Sequence, residues 1–243
     1  VSTLAGLPFI DRLSPEEKTR LRSLTEDFLT DKEFTAAGGL ELTDAMCVSI
    51  AVQGCLPILN LGLESYRDWV GIIVYPAEFV IPRSIEDEFG VVHEYEDVAS
   101  GEAWEGGPLL ISWQDAQMAG EGYNVVIHEF AHKLDMLNGE ANGLPPLPQN
   151  LSRKVWKGTL LAAYDHFCAL LDEAEERGDE WLETSQLDPY AAESPGEFFA
   201  VMSECFFESP EILVKEYPAL YEQLSQFYRQ DPLLQNSSKE VGL

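Results

Sequence analysis

In "NVVIHEFAHKLDMLNG", residues 124–139, His128 and His132 stand four positions apart with Glu129 beside the first. On a helix, side chains at i and i+4 lie one turn apart on one face, so both imidazoles can reach a single metal ion. Glu129 leans over the same face, where it can take the proton of an attacking water without being a ligand itself. Val125, Val126, Ile127, Phe130, Ala131 and Leu134 supply the apolar groups of a buried helix around them. The HExxH pattern is short, and chance places one in a chain of this length on the order of 1% of the time. Chance must also supply the burial. Two histidines and a glutamate buried without partners cost on the order of several kcal/mol, whereas a zinc ion engages all three, so the spacing points to a zinc site.

A catalytic zinc keeps three protein ligands and one open position, which leaves a third ligand to find. Asp135 and Glu140 are close in sequence, but the short Asp135 side chain better suits a hydrogen bond to a ligand imidazole or a local cap. His93 and His166, lone histidines on a strand and a long helix, suit ordinary surface or core roles. "DPYAAESPGEFFAVMSECFF" carries Glu197 and Glu204 seven residues apart, two turns along one stripe of an apolar helix. Carboxylates there need a reason. Ser194-x-x-Glu197 also fits a capping box, which needs no metal, and Glu204 also fits a partner of a ligand or an ion pair. The pattern leaves the third ligand among Glu197, Glu204 and the remaining acids, Glu197 first.

The elements that must position these groups are legible in outline. Ser14, Pro15 and Glu17 start a capped helix, and a second, buried helix begins at Thr43 or Asp44 and ends before Pro57. "WVGIIVYPAEFVIP", "GVVHEYEDVA" and "GPLLISWQDA" read as strands of a small antiparallel or mixed sheet, with "PLLISW" as the edge strand beside the active-site helix. Helices follow at about 121–138, about 151–177 capped by Asn150, from Ser194, and at about 209–229. The glycines and prolines of "NGEANGLPPLPQN" make a loop at the rim of the site. This order predicts an α+β fold: one domain over 1–243, with an N-terminal helical part, 1–66, and a catalytic part, 67–243.

Composition bounds the partners. With 15 basic and 43 acidic residues the net charge is −28, a field that repels nucleic-acid backbones and anionic membrane surfaces. The four cysteines show neither CxxC spacing nor the density of a disulfide scaffold. No apolar run is long enough to span a bilayer, and "VSTLAGLPFIDRLSPEE" lacks the pattern of a signal peptide, so the expected location is cytoplasmic.

"IHEFAHKLD", "DPYAAESPGEFFAVMSECFF", "IIVYPAEFV", "GVVHEYEDVASGEAWEGGPLLISW" and "QFYRQDPL" together resemble the Mlc titration factor A family of bacterial zinc metallopeptidases over nearly the whole chain. The C-terminal half is also similar to the catalytic domain of anthrax lethal factor, where a tyrosine precedes the ligand glutamate in a similar arrangement. The resemblance implies a zincin-like fold and one zinc ion held by His128, His132 and Glu197, with Glu129 as general base and Tyr190 steadying the oxyanion. A phenol at Tyr190 can donate to a carbonyl oxygen as it gains charge, although an aromatic that packs in a turn is the plainer use. Hydrolysis of peptide bonds in a peptide or protein substrate by a zinc-activated water follows, and both aminopeptidase and endopeptidase cleavage fit it. The resemblance further implies binding to the glucose-responsive repressor Mlc. The alternative is a non-catalytic regulator that sequesters the repressor, with zinc structural or vestigial.

Overall fold

The computed structural model describes residues 7–86, 92–178 and 185–234, with the side chains of all of these but 82–86 and 93–95. After a short helix α1 (Pro8–Asp11), the expected capping box opens α2 (Pro15–Asp31): Glu17 N donates to Ser14 Oγ at 3.2 Å, and Ser14 N donates to Glu17 Oε2 at 2.9 Å. Strand β1 (Glu33–Ala36) follows, an element the sequence does not announce because its four residues carry no apolar alternation. Thr43 caps α3 (Asp44–Cys55), which stops before Pro57 as expected.

The next segments build two sheets. Strands β2 (Gly71–Tyr75), β3 (Phe79–Glu86), β4 (Val92–Ala99), β5 (Gly101–Ala103) and β6 (Leu109–Ser112) divide into a four-stranded sheet, ordered β1-β2-β6-β5, and a separate antiparallel ribbon of β3 and β4. The four-stranded sheet is mixed: β1 and β6 run parallel to β2, and β5 runs antiparallel to β6. "WVGIIVYPAEFVIP" is therefore two strands in two sheets, parted at Pro76. "PLLISW" is not the edge. Its strand β6 lies between β2 and β5 with all four residues buried, as a short unbroken apolar run does in a central strand, and the edge is β5.

The second half is helical. Short α4 (Trp113–Ala116) leads to α5 (Val125–Asp135), capped by Asn124 and extended by a 3-10 turn, Met136–Asn138, to Gly139. This helix starts later than expected because Gly120 and Gly122 take φ of 94° and 93°, which only a turn accommodates. Ser152, rather than Asn150, caps α6 (Arg153–Arg177), which ends at Gly178 in the left-handed region. Ser194 caps α7 (Pro195–Glu208). The last expected helix is two, α8 (Pro210–Glu216) and α9 (Pro218–Tyr228). Pro218 supplies no N–H and bars Tyr217 from helical geometry, so the chain breaks there at φ −134° and ψ 66°.

One apolar cluster runs from Phe9 to Tyr228, and all 11 residues of α5 are buried in the protein. Phe130 on the inner face of α5 meets Phe28, Tyr66 and Trp69 at ring separations of 5.2–5.7 Å, which ties the N-terminal helices directly to the helix that carries HExxH. Burying a phenylalanine side chain contributes roughly 2–3 kcal/mol, so this aromatic group is a substantial part of what holds α5 in place. Lys133 fixes the other side. Its Nζ donates to the carbonyls of Trp104 and Gly107 at 2.7 and 2.8 Å, pinning the turn between β5 and β6 against the helix, and burial lowers its pKa to about 8.

Candidate metal centre

Helix α7 packs on α5 and positions its start. Asn124 Oδ1 accepts from Ile127 N at 2.9 Å, while Asn124 N donates to Glu204 Oε2 and its Nδ2 donates to Glu208 Oε1, both at 2.8 Å. Glu208 also accepts from Gly120 N. Two acids one turn apart on α7 thus gather the backbone and cap of α5, and the remaining Glu204 oxygen lies 2.6 Å from His128 Nδ1. A carboxylate there holds the proton on Nδ1 and turns the Nε2 lone pair inward.

Three donor atoms converge opposite it. His128 Nε2 is 3.1 Å from His132 Nε2, and Glu197 Oε2 is 3.0 and 3.1 Å from the two. Ser194 Oγ accepts from Glu197 N at 3.1 Å, so the helix start is capped, but the Glu197 carboxylate turns to the histidines. Of α7 only Pro195 and Glu197 escape full burial. Two imidazole lone pairs and a carboxylate oxygen facing one another repel unless a cation stands among them. Metal–ligand bonds of 2.0–2.1 Å place neighbouring donors about 2.9–3.4 Å apart, and the observed edges fall in that range.

The electrostatics agree with a cation site. Burial opposes charge on His128, yet Glu197 and Glu204 hold its pKa well above the usual value. Burial likewise opposes ionisation of Glu197, but the two imidazoles hold its carboxyl well below the usual range. Once a metal ion displaces the proton that His128 holds in its absence, the residues fit it: two ring nitrogens, one carboxylate and a hydrogen-bonded partner for one of the rings.

Glu129 stands beside this group and outside it. It is 5% exposed, its Oε2 makes no hydrogen bond to the described residues, and burial pushes its pKa up to about 7 against the pull of both histidines. Gly101 of β5 is what makes room: a Cβ built there would lie 2.5 Å from Glu129 Oε1 and 2.6 Å from its Cγ. Tyr190 sits in a 3-10 turn, Pro189–Ala192, started by Asp188 Oδ1 accepting from Tyr190 N at 2.9 Å. Its ring is 6.1 Å from that of His128, the residue is half exposed, and partial desolvation with the charges of Glu197 and Glu129 raises its pKa, so the phenol keeps its proton to donate. A cavity of about 730 Å3 opens over His128, Glu129, His132, Tyr190 and Glu197, walled on one side by residues 97–103.

The other sequence candidates lie elsewhere. Asp135 caps the following loop, its Oδ2 accepting from Gly143 N at 2.6 Å, and that loop reaches the cavity rim at Ala141. His166 hydrogen-bonds the Tyr217 hydroxyl at 3.2 Å, Glu140 is exposed, and the His93 side chain is outside the described residues. Glu204 serves as a partner of His128. Glu208, which no motif singles out, is visible only as the acid one turn beyond Glu204 on the same apolar stripe. Gly101 leaves no sequence signal, because the contact that requires it comes from a helix 28 residues later.

The model of the glucose-regulated metallo-peptidase M90 family matches residues 2–229. The chain belongs to that family. Mlc titration factor A of Salmonella arizonae is 41% identical over 232 residues, which is 93% of this chain and 89% of the relative. Mlc titration factor A of Escherichia fergusonii is 39% identical over 240 residues, 97% of this chain and 87% of the relative. Membership of M90 implies a metal cofactor, and His128, His132 and Glu197 are a three-residue set able to hold one. The mixed helix-and-sheet structure suits an M90 α+β metallopeptidase, and no described helix is long and apolar enough to cross a membrane.

The hydrogen bond from Glu204 to His128 makes a prediction for an M90 metal site. Glu204→Gln should keep the fold but weaken metal affinity by about 10–100-fold, since the amide no longer enforces the Nδ1–H tautomer. A competition titration with a chromogenic chelator measures this, and unchanged affinity would remove Glu204 from the site.

Proposed function

We propose that the chain is a zinc-dependent peptidase working as one unit over residues 1–243. The observation that carries the reading is the convergence of His128, His132 and Glu197 at 3.0–3.1 Å, with a buried Glu129 oxygen beside them that no described residue pairs. When bound, zinc supplies Lewis-acid polarisation of the substrate carbonyl and a lowered pKa for water. The chain supplies the rest. His128, His132 and Glu197 hold the ion, and Glu204 fixes the His128 tautomer. Glu129 takes the proton of the attacking water and returns it to the leaving amine, a role its buried place beside the donor triangle allows. Tyr190 Oη donates to the carbonyl oxygen as charge develops there.

β5 is the last strand of its sheet and its residues line the cavity, so an extended peptide laid along that strand would cross Glu129. Gly101 is the point of closest approach. Gly101→Ala should therefore lower hydrolysis about 100-fold, by displacing Glu129 or the strand roughly an ångström, while costing about 1–3 kcal/mol of stability. Steady-state rates set beside a thermal melt check it; full activity would show that the strand yields freely.

A peptide-library digest read by mass spectrometry tests the function as a whole, comparing zinc-loaded wild type with metal-stripped protein. Cleavage by the first alone is expected, and identical digests would overturn the reading. The relatives' name favours a second role, binding of the repressor Mlc, which the same protein can carry beside hydrolysis. Binding that survives His128→Ala and Glu129→Gln would separate the two roles. The net charge of −28 supports protein or peptide rather than nucleic-acid or membrane partners, and four free cysteines accord with a cytoplasmic place.

A further inference from the structure

A second cavity of about 450 Å3 adjoins the first, within the usual size of small-ligand sites. Tyr123, Asp188, Val201 and Glu204 line both, so the second is a side compartment of the candidate active-site cleft. Its inner wall is apolar, from Leu187, Val201 and Ile212, and Glu121 and Asp188 add carboxylates where the chain is exposed. Among the described residues neither cavity is lined by a lysine or arginine. The cleft from which the compartment opens carries Glu129, 5% exposed with an oxygen that makes no hydrogen bond to the described residues, and Glu129 lines the cleft rather than the compartment.

Building on the peptidase reading above, we infer that the side compartment selects substrates with a lysine or arginine flanking the cleaved bond. The long aliphatic stem of either side chain covers the apolar wall while its charged head stays at the wetter, acidic rim. An acidic or phosphorylated side chain is rejected there, since no lysine or arginine among the described lining residues would meet it. Both Glu204 oxygens are already engaged, by His128 and by Asn124 N, and Asp188 Oδ1 accepts from Tyr190 N, which leaves Glu121 and the other Asp188 oxygen to face the incoming charge. The wider field works in the same direction: a chain of net charge −28 draws cationic peptides toward an acid-lined cleft and speeds their capture at low salt.

The test uses zinc-loaded protein and internally quenched peptides identical except for lysine, arginine, norleucine or glutamate beside the cleaved bond. Lysine and arginine peptides should exceed norleucine about tenfold in kcat/KM, with glutamate lowest, and only the cationic advantage should shrink as salt is raised. Glu121→Gln should bring the lysine peptide about threefold closer to norleucine and leave norleucine unchanged; Asp188→Asn should narrow the same ratio. Binding of labelled peptides to Glu129→Gln, followed by fluorescence anisotropy, supplies a readout without turnover. Cleavage with no cationic preference, or a preference that both variants leave intact, overturns the inference and spares the peptidase reading. Cation-dependent binding without any cleavage supports the compartment and overturns the peptidase; neither binding nor cleavage overturns both.

Discussion

Glu129→Gln should abolish peptide hydrolysis while leaving the metal bound. The amide matches the carboxylate in shape, and Glu129 makes no contact within the donor triangle of His128, His132 and Glu197, so the ion keeps its three donors. What disappears is the proton acceptor, a loss of roughly 10²–10⁴ in kcat for a positioned general base. Metal content by elemental analysis and rates on the same preparation check the two halves of the statement, and undiminished activity would sink the assignment. Stability should move the other way. Burial raises the Glu129 pKa to about 7 from 4.5, so the metal-free fold favours the protonated carboxyl. Its contribution is fully present below pH 4.5 and is lost as pH rises through 7. A neutral amide has no such loss. In metal-free protein the variant should therefore gain on wild type across that window, by about 2–3 kcal/mol at its upper end, readable as a widening difference in Tm.

Much of this site is legible in the order of the amino acids, and the reasons are local. HExxH works through helical periodicity, which holds wherever the helix forms, and the apolar run from Val125 to Leu134 ensures that it forms buried. Ser14 with Glu17, and Ser194 with Pro195, mark helix starts by chemistry that needs only three or four residues. Where contacts come from afar the signal weakens. Ser194-x-x-Glu197 looks the same whether the carboxylate closes a capping box or turns to two histidines about 65 residues earlier, and only the packing of α7 on α5 decides. Sheet order is worse still. β1 is short and mostly exposed and enters the sheet beside β2, while β6, expected at the edge, is central because the unforeseen β5 pairs beyond it. β5 is only three residues long, too short for alternation to show, yet it carries the glycine that admits Glu129.

His132→Ala should cost metal affinity more than any change outside the donor triangle. Structural zinc sites with a full ligand set bind with apparent free energies of about 10–16 kcal/mol, so one ligand in such a set accounts for roughly 3–4 kcal/mol, or about 10²–10³-fold in affinity. The change is cleaner than His128→Ala, which would also leave the buried Glu204 carboxylate without its ring partner and so confuse lost affinity with lost stability. His132 Nδ1 makes no hydrogen bond to the described residues, so its removal strands no second group. The fold should not depend on the ion, because α5 is held by Phe28, Tyr66, Trp69 and Phe130 and by Glu204 and Glu208 at its start, none of them in the donor triangle. Wild type should therefore melt cooperatively with or without chelator, and zinc at 100 times its Kd should add about 2.7 kcal/mol. His132→Ala should show a zinc-dependent rise of at most about 0.4 kcal/mol at that concentration, since the ion then stands at or below the variant's Kd. A wild-type chain that unfolds on chelation would make the ion structural, and a variant that binds zinc as tightly as wild type would take His132 out of the ligand set.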